Sequence, residues 1–205
     1  METKHIARKR VRLIAAALAL SATAALPWNA GAAGYPDRPI SLIVPFSPGG
    51  GTDISARLLA VALGEKFASS VVVDNRPGAG GQIAADLVAR SPADGYTLLF
   101  ANSGMLAINP WIYKLHSDPA TAFAPVSLFS DLPFVLVVPA TLPAKNVKDL
   151  VALARSQPGK HTYASSGTGG APHLSAEIFQ QATGTDLMHV PYKGGGPAMT
   201  DLMAG

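Results

Sequence analysis

Glycine-rich stretches in this chain could bind an anion through backbone N–H groups. The first, residues 47–53, reads S-P-G-G-G-T-D and separates an apolar run at 40–44 from a helical pattern at 52–67. Glycine admits positive φ and brings bare amides close to a ligand, Thr52 could cap the helix, and a helix N-terminus attracts negative charge. The residues predict an anion site, although a tight turn without a ligand explains them equally well.

The spacing of these glycines indicates which anion to expect. A phosphate-binding P-loop requires G-x-x-x-x-G-K-[ST], and no lysine follows Gly49, Gly50 and Gly51. A dinucleotide site requires G-x-G-x-x-G, which this stretch lacks. A carboxylate is therefore the favoured ligand.

Several polar side chains near the glycines have two interpretations each. Asp53 is either a favourable charge at a helix N-terminus or a group that orients a bridging water or a ligand amine. His173 and Glu177 share a helix face, but no further ligand is spaced to complete a metal site, so His173 is expected to buttress the neighbouring loop. Ser103 and Ser166 lack the G-x-S-x-G setting of a hydrolase nucleophile, and Ser103 is interpreted as a hydroxyl donor.

Strands and helices must position these loops. In the first half, strands are predicted at 40–44, 71–73 and 97–101, with helices at 52–67 and 82–90 and a second glycine loop at 74–81. This alternation predicts an α/β fold with a parallel sheet, whose ligands lie beyond the carboxyl ends of the strands.

The second half repeats the pattern. Further strands are predicted at 123–130, 134–138, 162–164 and 188–190, with helical segments at 107–115, 147–156, 171–183 and from Pro197 onward. A third glycine loop at 165–170 precedes the helix at 171–183. The repeat suggests two similar lobes, at 34–137 and 138–205, with facing anion sites. Because the second lobe has only two clear strands, it is interpreted as truncated.

The N-terminal residues 1–33 predict a cleavable signal peptide. A basic segment with Lys4 and Arg12 precedes an uncharged stretch at 13–26, which is short for a membrane span, and small residues follow it. This segment holds five of the 16 Lys and Arg residues but one of the 13 Asp and Glu, so the rest of the chain carries −1 rather than +3. That balance argues against nucleic acid as a partner, and the absence of cysteine excludes a disulfide framework.

Five ordered motifs resemble the Bug family, the periplasmic substrate-binding components of tripartite tricarboxylate transporters. They are Y-P-D-R-P-I-S-L-I-V-P-F-S-P-G-G-G-T-D-I-S-A-R, V-V-V-D-N-R-P-G-A-G-G, A-D-G-Y-T-L-L-F, Y-A-S-S-G-T-G-G-A-P-H-L-S-A-E and V-P-Y-K-G-G-G-P-A-M-T-D-L-M-A-G. The resemblance covers the chain from Tyr35 onward. It implies a type II periplasmic binding protein fold, with two lobes, each a mostly parallel sheet flanked by helices. Family members continue past Gly205, so the second lobe is expected to be incomplete.

The resemblance also implies a small organic acid held between the lobes by backbone amides and ordered water. The implied ligand-binding residues in the two loops are Phe46, Ser47, Pro48, Gly49, Gly50, Gly51, Thr52, Asp53, Ser165, Ser166, Gly167, Thr168 and Gly169. The residue patterns add Gly78, Ala79, Gly80, Ser103, His173 and Tyr192, of which Tyr192 is expected to form a wall of the site. Lys193 is either a solvated charge or part of that wall. Arg76 could pair with an acid ligand, but a bond to Asp74 is favoured.

These residues lead to one main functional hypothesis and two alternatives. The main one is a monomeric periplasmic receptor, with no cofactor and no metal, that delivers a carboxylate to membrane transporter subunits. It would not remain inserted in the membrane after signal cleavage. The same receptor could instead report ligand occupancy to a sensor kinase. An exported hydrolase or metalloenzyme would require turnover dependent on Ser103, Ser166 or His173.

Overall fold

The computed structural model describes residues 34–205, so the expected signal peptide at 1–33 lies outside the described residues. Residues 34–37 contain no helix or strand, and Arg38–Gly205 form one compact unit. The expected boundary between two lobes near residue 137 stays a prediction.

The first half of the unit alternates strands and helices. Its elements are β1 (Ile40–Val44), α1 (Gly51–Phe67), β2 (Val71–Asn75), a 3₁₀ turn (Ala79–Gly81), α2 (Gln82–Ala89), β3 (Thr97–Leu99), a π-helical turn (Gly104–Ile108), α3 (Asn109–Ile112) and α4 (Pro119–Ala122). The second half contains α5 (Val147–Ser156), β4 (Thr162–Ser165), α6 (Ala171–Thr183), β5 (Met188–Pro191) and α7 (Gly195–Ala204). The predicted α/β class is confirmed.

The first sheet is parallel, with strand order β2-β1-β3. Strand β1 lies in the centre and is buried on both faces, as its continuous apolar run predicts. Leu42 and Val44 form the core with Ala56 and Ala60 of helix α1. Helix α2 packs on β1 and β3. Parallel strands end at the same edge of a sheet, so the pairing of β1 with β2 brings the loops that follow these two strands together.

The second sheet consists of β4 and β5, which are also parallel. Tyr163 pairs with His189, and Ser165 pairs with Pro191. Helices α6 and α7 pack against β4. The loops that follow β4 and β5 therefore also lie at one edge.

Two strand predictions are wrong. Residues 123–138 form no strand, although 123–130 and 134–138 are rich in β-branched and aromatic residues. Their side chains stay exposed, to 86% at Leu128 and 78% at Val135. An isolated strand leaves its backbone groups unpaired, and neither sheet in the described part of the chain adds this segment as a partner.

The helix predictions differ from the structure mainly at their ends. Thr52 does not cap α1, because the helix already begins at Gly51 and Gly50 occupies the cap position without a side-chain bond. The helix expected at 107–115 is replaced by the π-helical turn and α3, and the helix expected from Pro197 begins at Gly195. Helix α5 begins as predicted, since the Asn146 side chain accepts the Asp149 N–H at 3.0 Å. Within residues 34–205, none of the helices has both the length and the apolar character needed to cross a membrane.

Candidate functional site

A cleft of about 260 Å³ lies where four loops meet at the carboxyl ends of their strands. These are the β1–α1 loop (residues 45–50), the β2–α2 loop (76–81), the β4–α6 loop (166–170) and the β5–α7 loop (192–194). Parallel α/β sheets bind ligands at this edge. The residues that line the cleft are Phe46, Gly78, Ala79, Gly80, Gly81, Tyr113, Ser166, Gly167, Thr168, Pro191, Tyr192 and Lys193.

Asp53 holds the β1–α1 loop from behind. Its side chain is almost fully buried, and its carboxylate accepts the Gly49 N–H at 3.0 Å, the Arg57 Nε–H at 3.0 Å and the Asn75 Nδ2–H at 2.9 Å. Asn75 Nδ2 also donates to the Phe46 carbonyl oxygen at 2.9 Å. Both ends of the loop are thereby tied to one buried carboxylate.

The protonation of Asp53 follows from this environment. Burial alone would raise the pKa of its carboxyl group, but the hydrogen bonds from Arg57, Gly49 and Asn75 and the charge of Arg57 outweigh burial, so the pKa is lowered. Asp53 is therefore ionised at neutral pH. Its carboxylate oxygens bond protein donors, and Asp53 is not among the residues that line the cleft.

The β1–α1 loop packs closely against the start of α7. The Ser47 N–H donates to the Lys193 carbonyl oxygen at 2.8 Å. A Cβ atom at Gly50 would lie 3.2 Å from the Gly195 nitrogen, and one at Gly196 would clash with the Pro48 carbonyl oxygen. The glycines on both sides thus permit a close backbone approach.

The β2–α2 and β4–α6 loops form the two facing walls of the cleft. A Cβ atom at Gly80 would lie 3.1 Å from the Thr168 carbonyl oxygen. Tyr113 donates its hydroxyl to the same oxygen at 2.8 Å, and Asn109 donates from Nδ2 to the Gly80 carbonyl oxygen at 2.9 Å. Asn109 is fully buried, and its Oδ1 has no hydrogen-bond partner within the described range 34–205.

Ser165 and two histidines support the β4–α6 loop. The buried Ser165 Oγ accepts the Gly167 N–H at 3.1 Å and lies 2.7 Å from Nε2 of His189. His173 accepts the Gly169 N–H at Nδ1, at 3.2 Å. His173 therefore occupies the buttressing position that the sequence indicates.

The composition of the cleft favours an anion. Lys193 is the one charged residue among those that line it, and no ion pair engages Lys193 in the part of the chain that the structure describes. The backbone N–H groups of Gly80, Ser166 and Thr168 likewise find no acceptor among residues 34–205. Several amides, among them these three, and one ammonium group thus lie at a cleft with no carboxylate in its lining.

The structure places the predicted site residues in three groups. Eight of them line the cleft: Phe46, Gly78, Ala79, Gly80, Ser166, Gly167, Thr168 and Tyr192. Three lie directly behind the β4–α6 loop or within it: Ser165, Gly169 and His173. The remaining eight do not line the cleft: Ser47, Pro48, Gly49, Gly50, Gly51, Thr52, Asp53 and Ser103.

Other residues that hold the cleft loops have no counterpart among the predicted ligand-binding residues. Tyr113, Asn109 and His189 contact the loops from elements distant in the sequence. No local motif marks them, so the sequence gives no signal for these contacts. Arg76 pairs with Asp74 at 2.8 Å, which is the interpretation that the sequence favours.

The geometry gives no support to hydrolytic or metal chemistry. Ser165 and His189 are close, but Ser165 is 3% exposed and its hydroxyl also bonds Gly167, so a substrate cannot reach it. Among the described residues, no group of three or more His, Cys, Asp or Glu side chains is placed to hold a metal ion.

A larger hollow of about 320 Å³ lies elsewhere, between residues 137–141 and the end of α7. Its lining includes Val137, Val138, Met199, Leu202 and Met203. Such aliphatic walls offer an anion few donors, so this hollow is a poor carboxylate site.

Comparison with known proteins supports the motif resemblance. The sequence profile described as "Tripartite tricarboxylate transporter family receptor" matches residues 55–205. Protein BugT of Bordetella pertussis is 42% identical over 200 residues, which are 95% of this chain and 60% of BugT. The solved structure of R. palustris Rpa4515 with adipate is 44% identical with a TM-score of 0.80, and covers 82% of this chain and 56% of that protein.

A second solved structure, MatC (Rpa3494) from Rhodopseudomonas palustris with bound malate, is 29% identical with a TM-score of 0.72. It covers 82% of this chain and 57% of MatC. This chain thus spans less than two thirds of the length of these relatives, and its structure covers the corresponding part of the periplasmic binding protein fold. The chain belongs to the tripartite tricarboxylate transporter receptor family, the Bug family that its motifs resemble.

Proposed function

We propose that this chain is a solute-binding receptor that captures a small organic carboxylate in the cleft between the β2–α2 and β4–α6 loops. One observation supports this proposal most strongly. Lys193 lines a cleft without an acidic residue, and the N–H groups of Gly80, Ser166 and Thr168 in its walls have no acceptor among the described residues.

The physical basis is the neutralisation of a carboxylate by fixed dipoles. Backbone N–H groups at the ends of loops and helices bind anions without the rearrangement that long side chains need. Helix α6 begins directly after the β4–α6 loop, so its positive end adds to the same field. Lys193 supplies the compensating charge.

The size of the cleft and the family relatives indicate the ligand class. A volume of about 260 Å³ suits a small molecule better than a drug-sized one. Relatives of this chain bind adipate and malate, both of which are dicarboxylates. A compact mono- or dicarboxylic acid is therefore the proposed ligand, held between two lobes divided near residue 137.

The proposed cellular role is delivery to the membrane subunits of a tripartite transporter. Residues 1–33 have the basic, apolar and small-residue order of a cleavable signal peptide, which would place the rest of the chain in the periplasm as a monomer. Ligand contacts from both sides of the cleft would favour a closed state that the membrane subunits recognise. The chain would bind its ligand without chemical turnover.

Isothermal titration of the full chain tests the proposal with adipate, malate and adipamide. Adipate or malate is expected to bind and adipamide far more weakly, because the neutral amide cannot use the charge of Lys193. Lys193→Gln is expected to weaken acid binding about fivefold to tenfold. Lys160→Gln is the matched control, because Lys160 precedes β4, at the edge of the second sheet opposite the cleft, and does not line the cleft. Equal binding of adipamide and adipate would refute the carboxylate site.

A further inference from the structure

A stack of three rings lies behind the β4–α6 loop. Tyr163 and His189 are register partners on β4 and β5, with ring centroids 4.8 Å apart. His173 of α6 covers His189 with a centroid distance of 4.2 Å and an angle of 24° between the rings. These rings fill the space between the second sheet and α6.

Each histidine in the stack fixes part of the β4–α6 loop. His173 Nδ1 accepts the Gly169 N–H at 3.2 Å. His189 Nε2 lies 2.7 Å from Ser165 Oγ, which accepts the Gly167 N–H at 3.1 Å. The two loop amides held in this way alternate with those of Ser166 and Thr168, which are available at the cleft.

The contact between Gly169 and His173 requires a neutral His173. Ser165 Oγ, in contrast, can donate to the Gly167 carbonyl oxygen and accept from His189 Nε2. His173 can accept the Gly169 N–H only when Nδ1 carries no proton, so its proton is on Nε2. Protonation of Nδ1 would place two N–H donors face to face and break this contact. Two imidazolium rings stacked at 4.2 Å would also repel each other.

The groups around the pair oppose a second charge. Burial and the neighbouring His173 lower the pKa of His189, and Glu177 offsets this in part. Glu177 lies 3.8 Å from His173 Nε2, but it already accepts hydrogen bonds from Tyr163 at 2.5 Å and Gln180 at 3.1 Å. On α7, the acidic Asp201 is bound to the Tyr192 hydroxyl.

We propose that His173 and His189 are positioning residues of the carboxylate site. Together they hold the β4–α6 loop in the shape that presents the Ser166 and Thr168 amides, and protonation of His173 at Nδ1 breaks its contact with Gly169 and weakens binding of the acid. This proposal rests on the proposed function. Simple attraction between an imidazolium and a carboxylate predicts the opposite pH dependence.

Amide hydrogen exchange of the full chain, followed by NMR without ligand from pH 8 to pH 5.5, tests the loop directly. After correction for intrinsic exchange, protection of the Gly169 amide is expected to fall about fivefold as pH decreases, the effect of losing one hydrogen bond. Protection of the Gly167 amide is expected to stay constant, because Ser165 Oγ can accept its N–H in either state of His189. Protection of the Leu42 and Val44 amides in the core strand β1 is expected to stay constant. Constant protection at Gly169 would overturn the proposal.

Two variants separate positioning from simple packing. His173→Asn places an amide oxygen near the position of Nδ1 and cannot titrate, so protection of Gly169 should become independent of pH. His189→Gln keeps a polar group near Nε2 for Ser165 Oγ and leaves His173 in place, so protection of Gly169 should still fall with pH while that of Gly167 stays constant. The wild-type exchange profile decides the question if His173→Asn does not fold. His116→Gln, a histidine on the surface near Asp86, should follow wild type. A titration at Gly169 that persists in His173→Asn would contradict the proposal.

Adipate titrations at pH 7.5 and pH 5.8 complete the test. Wild type should lose about fivefold in affinity at the lower pH, whereas His173→Asn should bind equally at both. Stronger adipate binding by wild type at pH 5.8 would overturn the proposal. Absence of adipate binding at either pH would count against the proposed function, while the exchange experiment would still decide the role of the histidines.

Discussion

Asp53 illustrates, at the scale of single residues, how position and role can differ. It lies in the first turn of α1, where its charge is favourable, and it is close in sequence to the glycines of the β1–α1 loop. Its oxygens are nevertheless engaged by Gly49, Arg57 and Asn75. The structure therefore favours the structural interpretation of Asp53 over contact with a ligand amine.

Asp53→Asn is expected to destabilise the chain by about 2 kcal/mol at pH 7, because the new amide would direct a donor at the donors of Gly49, Arg57 and Asn75. Urea denaturation measures this difference. The folded-state pKa of Asp53 is lowered, so its contribution is present above the unfolded value of about 3.9 and is lost as pH falls through the lower folded value. The gap between wild type and variant should shrink below about pH 4.

Asp131→Asn is the matched control, since Asp131 is exposed and has no ion pair among the described residues. Its effect should stay within about 0.5 kcal/mol. Equal stabilities for Asp53→Asn and Asp131→Asn at pH 7 would show that the buried network contributes nothing.

Contacts between residues close together in the sequence could be predicted, and contacts between residues far apart in the sequence could not. The pairing of Arg76 with Asp74 and the position of His173 beside its loop follow from spacing along one segment. Tyr113 reaches Thr168 across 55 residues, and His189 reaches Ser165 across 24. Such contacts depend on how the two sheets assemble, which no local pattern contains.

At the scale of elements, strands with neighbours were predicted well and strands without neighbours were not. The β1, β2 and β3 predictions succeed because each has a register partner in the first sheet. Residues 123–138 have the same composition but no partner in the described structure. The composition of a segment indicates whether it fits a sheet, whereas the presence of a partner strand decides whether the segment becomes a strand.

The close approach of α7 to the β1–α1 loop gives a prediction at this scale. Gly196→Ala should destabilise the chain by about 1 to 3 kcal/mol, because the added methyl group would clash with the Pro48 carbonyl oxygen. Thermal unfolding measures the effect. Gly195→Ala is the matched control, since its methyl group would lie 3.8 Å from the Gly50 Cα, an ordinary contact. Identical melting of the two variants would mean that α7 does not pack on this loop as described.

At the scale of the whole molecule, the chain combines two parallel sheets whose loops converge on one cleft. The α/β class and the repeated order of strand, glycine loop and helix were predictable because each is written in short segments. Which loops form the walls of the cleft was not predictable from such segments. The β2–α2 and β4–α6 loops line it, whereas the loop around Gly49 contributes Phe46 and otherwise packs against α7.

The most direct test of the carboxylate site is a ¹H–¹⁵N correlation spectrum of the full chain at pH 7.5, titrated with adipate and separately with adipamide. Adipate should shift the amide signals of Gly80, Ser166 and Thr168 together, in a saturable manner, because these N–H groups are available at the cleft. Adipamide should leave them nearly unchanged. Saturable adipate shifts confined to residues 137–141 and 202–205, or no saturable shifts at all, would contradict the account.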